Sequence, residues 1–453
     1  MPGSCSFLLK CFLMKAVFRK IMDSVIPYSL LLLPSAIVAG IIDWRFHNYF
    51  WPSWNRFRPH TNAMFDFFSV LTLFILVIFL VHVFLTLRKK PERKFGWYKW
   101  PIIFTGFGCL VAIIAYKANI PEIRTPYWDI YVNFINPIIV FLLIISYLKE
   151  AKWRELFTKS TLLTFSIFGA FCIFEYFTNL LPGINKDFLG RLVWPYINPF
   201  VNMKAESANW LAYIFGPTAI LAFVRLGRNL KEKIALKESW LEIVAFIIGS
   251  SVLLLTKSYT GIGIAVLLIT YWFIRNLHGR QRTAFVLALI IAASIGIASQ
   301  YKTRKFQILL GNYKKENSIE RRFQIYKFNA ESFIAKPFTG IGPGNYQSYF
   351  RANMSNYGIN IPEEELPPHP HNLIMNFWAE LSIFGLIAAL ILYIVPMTKI
   401  ILHPAQNDIF FVFVYFLGHG LIDLPYGLEE FSVLFWMVLA LTAISSNKFA
   451  KDS

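Results

Sequence analysis

Two histidines and an arginine stand in a polar stretch of an otherwise apolar chain, where they could perform acid–base and electrostatic chemistry. His369 and His371 flank a proline just before an apolar run. A neutral imidazole at such a boundary can accept a proton near pH 7. Arg322 lies upstream, and its planar, permanently charged fork suits a diphosphate better than an ammonium does. These residue types could therefore supply a general base and an anion-binding group.

Each of these residues alone also has a plain structural explanation. Apolar residues at 3- and 4-residue spacing predict an amphipathic helix over 319–335, with Arg322 at the edge of its apolar stripe and Arg321 pointing nearly away. An arginine at that edge could simply extend along the membrane surface. Either histidine could be a surface residue after a proline turn. The predicted stripe consists of Ile319, Phe323, Tyr326, Ala330, Phe333 and Ile334.

Three glycines at alternate positions follow the predicted helix. Gly340, Gly342 and Gly344 could let backbone amides approach a ligand closely. A plain turn is the alternative, and no strand precedes them as a dinucleotide-binding motif would require.

Further polar groups occur at the outer ends of apolar runs. His419 and Asp423 are spaced as i and i+4, Glu206 precedes one run, and Lys257 stands in a tight turn between two others. Polar side chains at that depth usually face the interior of a helix bundle, either in structural pairs or at a functional site. The chain lacks an Asp-x-Asp pair and any zinc-protease pair, so we predict neither a metal nor a cofactor.

The elements that must position these groups are membrane helices. Of 453 residues, 56% are hydrophobic and only 15% are charged, which is typical of an all-α integral membrane protein. Apolar runs long enough to span a bilayer predict about twelve transmembrane helices. The predicted spans are 25–42, 64–87, 97–116, 128–148, 160–181, 208–225, 240–256, 260–275, 283–299, 373–395, 408–421 and 429–445.

The distribution of Lys and Arg predicts the orientation. Basic residues are concentrated in alternate short loops and in both terminal segments, which places both termini in the cytoplasm. The long loop between spans 9 and 10 then lies outside, and its aromatic residues favour an ordered, partly helical structure. We predict a nine-span region over 1–299 with a basic cytoplasmic lead-in, a periplasmic loop over 300–372, and a three-span region over 373–453. Basic loops beside apolar runs follow from topology and contact with membrane lipids, so the net charge of +18 does not indicate nucleic-acid binding.

In this order, the polar residues resemble the O-antigen ligase and polymerase superfamily of bacterial surface-polysaccharide enzymes. The resemblance covers about 300–430 and includes an arginine with an aromatic residue four positions on, a Pro-x-x-Gly-x-Gly-x-Gly-x-aromatic stretch, and a His-Asn pair. A His-x-x-x-Asp near a later helix end completes the pattern. The matching positions here are Arg322, Tyr326, Pro337, Gly340, Gly342, Gly344, Tyr346, His371, Asn372, His419 and Asp423.

Two positions depart from the family pattern. Ser382 replaces the first glycine of a Gly-x-x-Gly pair whose second glycine is Gly385. The turn at 258–261 lacks the arginine that ligases often carry there, so Lys257 would have to replace it as a point charge.

The resemblance implies a metal-independent glycosyltransferase on the outer face of the bacterial inner membrane. It would move a glycan from undecaprenyl diphosphate to an acceptor sugar hydroxyl, either on lipid A–core, as a ligase does, or on a lipid-linked repeat unit, as a polymerase does. His371 would act as general base, and Arg322, helped by Arg321 or Lys257, would bind the diphosphate. His369, Asn372, the three glycines, Glu206, His419 and Asp423 would support the site.

Functions of other classes stay open on the sequence. A secondary transporter or lipid-linked sugar flippase would need ionisable groups near mid-membrane, where Glu175, Glu242 and Glu380 are the nearest. An export or assembly subunit with a polymer-binding basic loop is a further alternative. The clustering of polar candidates at the outer boundary favours surface chemistry.

Overall fold

The computed structural model describes residues 26–39, 96–119, 127–180, 185–186, 191–198, 203–302, 306–307, 310, 318–362, 366–402, 408–424, 426 and 429–452. The predicted span at 64–87 lies outside these residues.

The described residues are predominantly α-helical. A helical segment over 26–39, interrupted by a turn at position 32, is α1. The later helices are α2 (Lys99–Asn119), α3 (Tyr127–Ile130), α4 (Asn136–Tyr147), α5 (Ala151–Thr178), α6 (Ala208–Lys231), α7 (Trp240–Thr256), α8 (Tyr259–Asn276), α9 (Gly279–Gln300), α10 (Ser318–Ala335), α11 (Tyr346–Asn353), α12 (Leu373–Leu402), α13 (Asp408–Gly420) and α14 (Glu429–Asp452). A π-helical stretch, Tyr131–Ile135, joins α3 to α4, and short 3₁₀ turns occur at Leu236–Ser239 and Met354–Tyr357.

Helices occupy the described predicted spans, and the chain is a multi-pass membrane protein. Five helical segments of the described part are long and apolar enough to cross a bilayer, and three shorter apolar helices accompany them. The fifth predicted span begins earlier than expected, since α5 starts at Ala151 rather than at 160. The total of twelve spans remains a prediction.

A small sheet departs from the all-α expectation. Strands β1 (Asn185–Lys186), β2 (Leu192–Asn198) and β3 (Met203–Ser207) pair antiparallel in that order, directly before α6. In the predicted topology this stretch is the short connection between the spans 160–181 and 208–225. The sheet brings the chain into the start of α6, where the site begins.

An ion-pair cluster connects four helices of the bundle. The Arg225 guanidinium in α6 lies 3.2 Å from Glu242 of α7 and 2.5 Å from Glu155 of α5, while Arg228 lies 2.5 Å from Asp408 of α13. Buried carboxylates require such partners. Glu242, one of the acids that a transporter could use, is therefore accounted for by a structural pair.

The long loop has an apolar core of its own and packs on α12. Aromatic rings meet within it: the Phe328 ring lies 4.3 Å from that of Phe350, between ring centroids. At its edge, the Phe333 ring lies 5.3 Å from Trp378 of α12. Residues of this core are Ile325, Phe328, Ile341, Tyr346, Phe350, Ile359, Ile361, Leu366, Trp378 and Ala379. The loop is thus an ordered unit held against the N-terminal part of α12.

The predicted helix in this loop exists as α10, but its predicted buried face is wrong. Phe323 and Ile334 of the expected stripe are 68% and 75% exposed. At about 100° per residue, the buried residues lie nearly opposite the predicted stripe. Of the predicted stripe, Tyr326 and Phe333 pack against the loop core, whereas Phe323, Ala330 and Ile334 face outward. The buried residues are Ile325, Phe328, Asn329 and Ser332.

Helix α12 is broken at Ser382, whose φ is 66° and ψ −160°. This region of backbone space is occupied almost only by glycine. A Cβ added at Gly385 would clash with the Phe377 carbonyl oxygen, so only glycine fits there. The spacing of His371, Met375, Trp378, Ser382, Gly385 and Ala389 predicts one continuous helix face; this is wrong, because the helix is broken at Ser382 and His371, with φ of 52°, precedes it.

Candidate active site

Asp423, just after α13, is the centre of the candidate site. Its side chain is buried, and its Oδ1 accepts a hydrogen bond from His371 Nδ1 at 2.8 Å and from the Leu424 backbone N–H at 2.8 Å. Its Oδ2 accepts a hydrogen bond from the Asn209 amide and lies 3.7 Å from a terminal nitrogen of Arg322. Both carboxylate oxygens are therefore engaged, so Asp423 orients its neighbours.

The bond to Asp423 fixes the ring of His371. When Nδ1 donates its proton to the carboxylate, the other ring nitrogen, Nε2, is left as an acceptor. The His371 side chain is 24% exposed. The arrangement is that of a general base held in one tautomer by a carboxylate.

Arg322 reaches the site from the first turns of α10. Its Nε donates to the backbone carbonyl of Ile422 at 2.9 Å, beside the ion pair with Asp423. The guanidinium side chain is 21% exposed and carries five N–H donors in all. Arg321, the residue before it, is half-buried in the same turn.

Tyr326, one turn after Arg322, holds three chain segments together. Its hydroxyl lies 3.2 Å from the carbonyl oxygens of both His371 and Leu421, to which it can donate. Burial raises the pKa of Tyr326, although nearby Arg322 opposes this, so the hydroxyl remains a donor. The aromatic residue four positions after the arginine therefore positions the His371 loop.

His369 supports the backbone of His371. Its Nδ1 accepts the His371 backbone N–H at 3.3 Å, and the two rings meet edge to face with centroids 4.5 Å apart. Burial lowers the pKa of His369 to about 3, and the neighbouring His371 and Arg322 add to this, against the opposite influence of Asp423. His369 is therefore neutral at physiological pH and serves as an acceptor.

The electrostatics of Asp423 follow from the same neighbours. Burial alone would raise its pKa, but the hydrogen bond from His371 and the electrostatic influence of His371, Arg322 and His369 hold the pKa well below the usual range. Asp423 is therefore a carboxylate at any physiological pH, which keeps His371 Nδ1 protonated.

A chain of hydrogen bonds links Asp423 to the turn before α8. Ser258 donates to the Asn209 side-chain oxygen at 2.6 Å, and Asn209 in turn donates to Asp423. Ser258 also caps α8 by accepting the Gly261 N–H at 3.2 Å. Neither Asn209 nor Ser258 was predicted to act in the site. Their position as polar residues at the ends of two predicted spans is the sequence feature that could have identified them. Tyr213 completes the group by donating to the Asp423 backbone carbonyl at 3.0 Å.

Two predicted basic or acidic candidates lie near this chain. Lys257 ends α7 in the left-handed conformation, with φ of 48°, and its side chain is exposed immediately before Ser258. Glu206 stands in β3, where its backbone is opposite Pro195, two residues before α6 begins.

Asn372 and His419 have structural surroundings in this fold. Asn372 accepts the Met375 N–H at 3.1 Å, which caps α12, and donates to the Leu421 carbonyl at 2.9 Å. His419 is buried and stacks on Tyr213 with ring centroids 4.2 Å apart. Its carbonyl oxygen accepts the Asp423 backbone N–H at 2.9 Å, so their i, i+4 spacing is a helix-end contact.

The glycine loop docks on the break in α12. The Ile341 and Gly342 N–H groups donate to the Ala379 carbonyl at 2.6 and 2.9 Å. In an uninterrupted helix that carbonyl would bond residue 383. Gly340, with φ of +67°, lies so close that a Cβ would stand 2.7 Å from the Trp378 carbonyl. Gly344 likewise leaves no room for a Cβ beside Asp129.

Three of the site residues could also hold a metal ion. His369, His371 and Asp423 each offer a ligand atom within 4.8 Å of the others. Two imidazoles and a carboxylate are a plausible ligand set for a divalent transition metal. Arg322, however, already supplies a positive charge to the same carboxylate.

Part of the chain matches a known protein family. Residues 244–390 match the family model described as O-antigen ligase. Over that segment the chain is similar to the O-antigen ligase-like superfamily. The matched segment includes Lys257, Arg322, the glycine loop and His371 but ends before Asp423. A comparison with curated proteins finds no match.

Proposed function

We propose that the protein is a membrane glycosyltransferase that moves a glycan from a polyprenyl diphosphate to an acceptor sugar hydroxyl. The supporting observation is the convergence of His371 and Arg322 on Asp423, since these groups are the base and the anion-binding fork that such a transfer needs. The O-antigen ligase-like family supplies the substrate class, a lipid-linked glycan.

In the proposed reaction the acceptor hydroxyl gives its proton to His371 Nε2. The oxygen of the acceptor hydroxyl then attacks the anomeric carbon of the donor glycan, and the bond from that carbon to the diphosphate oxygen breaks. The electron pair leaves with the lipid diphosphate, and the anomeric configuration inverts. Asp423 stabilises the imidazolium that forms, and Arg322 stabilises charge developing on the diphosphate.

Arg322 is the proposed diphosphate ligand, with Arg321 and Lys257 as further cations. The glycine residues, Asn372 and His419 would act by shaping the fold around the site. No metal is required in this scheme, because Arg322 provides the charge stabilisation.

The proposed setting is the bacterial inner membrane, with about twelve spans, both termini in the cytoplasm and the site facing the periplasm. The donor would be undecaprenyl-diphosphate-linked glycan, and the acceptor lipid A–core, which makes the protein an O-antigen ligase. Polymerase activity on a lipid-linked repeat unit uses the same chemistry and is the alternative. The proposed regions 1–299, 300–372 and 373–453 all contribute to the site, through Asn209, Arg322 with His371, and Asp423.

Deletion of the gene, followed by gel analysis of lipopolysaccharide, tests the proposal. We expect the deletion strain to make core without attached glycan. Wild-type protein should restore attachment of the glycan, and the His371→Ala variant should not. Core carrying one repeat would indicate a polymerase instead. An unchanged pattern would contradict both activities. Purified protein assayed with and without EDTA tests the metal-independent scheme, because loss of transfer on chelation would place a metal at His369, His371 and Asp423.

A further inference from the structure

Helix α10 carries an outward stripe whose apolar side chains are exposed among the described residues. Phe323, Lys327, Ala330 and Ile334 recur every three or four residues on this face, and Lys327 Nζ donates to the Tyr357 carbonyl at 3.0 Å. The stripe continues into Phe338, which is 73% exposed. Large apolar side chains in a row on an ordered helix need an apolar neighbour.

The depth at which α10 and the following glycine loop lie along α12 indicates what surrounds the stripe. Gly340 contacts the Trp378 and Ala379 carbonyls, six residues inside α12 from its first residue, Leu373. At a rise of 1.5 Å per residue, this contact lies about 9 Å below the outer end of the helix. The apolar span Leu373–Thr398 has 26 residues against the ~20 that cross the hydrocarbon core, and the bend at Ser382 uses part of this surplus. If the rest is shared equally between the two sides, at most about 4.5 Å of the helix lies outside the core on this side, so the contact lies within the hydrocarbon.

The two ends of α10 stand at different levels. Near its beginning, Arg322 bonds the Ile422 carbonyl, beyond the end of α13. Near its end, the Phe333 ring contacts Trp378 within α12. The helix therefore slants from the membrane surface into the bilayer. The upper half of the stripe holds Phe323 and Lys327, whereas the deep half, Ala330, Ile334 and Phe338, is entirely apolar.

We propose that this stripe is embedded among the acyl chains of the leaflet on the site's side of the membrane. Phe338 and Ile334 lie deepest, and Lys327 lies at the headgroup level, where a charged side chain can remain hydrated. The partner is thus the phospholipid bilayer, and α10 holds Arg322 at the membrane surface. The inference does not depend on the proposed transfer activity.

Spin labels in proteoliposomes test this placement. The four native cysteines are replaced by alanine, and Ile334→Cys, Phe338→Cys and Ser355→Cys are labelled with a nitroxide in vesicles of phosphatidylethanolamine and phosphatidylglycerol. Ser355 is an exposed position of the same loop and serves as the control. We expect collisions with oxygen to exceed those with a water-soluble nickel chelate at 334 and 338, and the reverse at 355.

Two results would overturn the proposal. Equal accessibility to the nickel reagent at 338 and 355 would place the stripe in water. Immobile labels shielded from both reagents would show that protein covers it, for example the apolar segment 64–87. As a check that needs no substitution, lipids with a photoactivatable group on the acyl chain should label the peptide 330–338 of the native protein and not the peptide 351–357. Labelling of both peptides, or of the second alone, would also contradict the proposal.

Discussion

At the scale of single residues, Asp423 makes His371 and Arg322 parts of one unit. One carboxylate oxygen receives the imidazole proton, and the other lies beside the guanidinium. Removal of either partner leaves a buried charge without its compensation. Substitutions within this group should therefore not behave independently.

A double-mutant cycle tests this coupling. Asp423→Asn should lower transfer by about a hundredfold or more, because the amide no longer fixes the tautomer with Nε2 as the acceptor. His371→Ala should lower transfer at least as far. The double variant should be no worse than His371→Ala alone, since both changes remove the same base. His278→Ala, at the exposed start of α9, is the control. If the losses of transfer in the two single variants multiply in the double variant, Asp423 acts independently of His371.

Arg322→Lys tests the need for a fork. The guanidinium bonds the Ile422 carbonyl through Nε and approaches Asp423 through a terminal nitrogen, and a single ammonium cannot occupy both positions. We expect transfer to fall about tenfold or more while membrane insertion is kept. Arg351→Lys, in α11 of the same loop, should remain near wild type. Full activity of Arg322→Lys would mean that only the charge matters.

The lowered pKa of His369 predicts how the free energy of unfolding changes with pH. Its pKa in the folded protein is about 3, against an ordinary 6.5, so the unfolded chain binds a proton in this window that the folded protein does not. Stability therefore falls as pH falls from 6.5 towards 3. The depressed pKa of Asp423 acts in the same direction, but only as pH approaches its ordinary 3.8.

Thermal unfolding at about pH 7.5 and about pH 5 separates these contributions. The midpoint of His369→Asn should fall less between the two pH values than that of wild type, because asparagine can accept the same backbone N–H without titrating. His278→Asn should keep the wild-type dependence. Identical shifts in wild type and His369→Asn would show that another group causes the acid sensitivity.

At the scale of elements, the break in α12 shows what the sequence could and could not reveal. The ends of α10 were predictable from its periodicity. Its buried face was not, because the apolar side of a helix in a membrane protein can face lipid as well as protein. The sequence shows that Ser382 replaces a glycine of the family pattern, and the structure shows that the backbone conformation is what matters at that position.

Ser382→Gly should stabilise the protein. Glycine adopts a φ of 66° and ψ of −160° without the strain of about 1–3 kcal/mol that a side chain causes there. We expect a higher midpoint of thermal unfolding in detergent for Ser382→Gly and no increase for Ser382→Ala. Gly385→Ala should be strongly destabilised, because its Cβ would meet the Phe377 carbonyl. A gain for Ser382→Ala equal to that for glycine would indicate that the serine hydroxyl, not its backbone, is the source of strain.

At the scale of the whole molecule, the orientation predicted from basic loops is open to a direct test. Green fluorescent protein fused after Ser453 should fluoresce, because that end is predicted to be cytoplasmic. Alkaline phosphatase inserted after Ser355 should be active, because the loop is predicted to face the periplasm. The opposite pair of results would invert the topology and move the site to the cytoplasmic side.

The sequence indicated which residues could do chemistry, and the resemblance implied a shared site for Arg322 and His371, but neither identified Asp423 as the group that both contact. Arg322 and His371 stood out because a guanidinium and an imidazole at a membrane boundary are unusual. Asn209 and Ser258 did not, since their contribution depends on the way α6 and α8 approach Asp423. That approach is a property of helix packing, which single-residue patterns do not encode.

Asp423 is contacted by side chains that lie as many as 214 residues away from it along the chain. Closure over such distances is the slowest part of folding, so this carboxylate gains its partners only after the helices on both sides of the long loop have assembled. A partly inserted chain would hold its imidazole without an orienting acid and its guanidinium without a counter-ion. Catalytic activity therefore requires the completely assembled fold, and a partly inserted chain in the bilayer would be inactive.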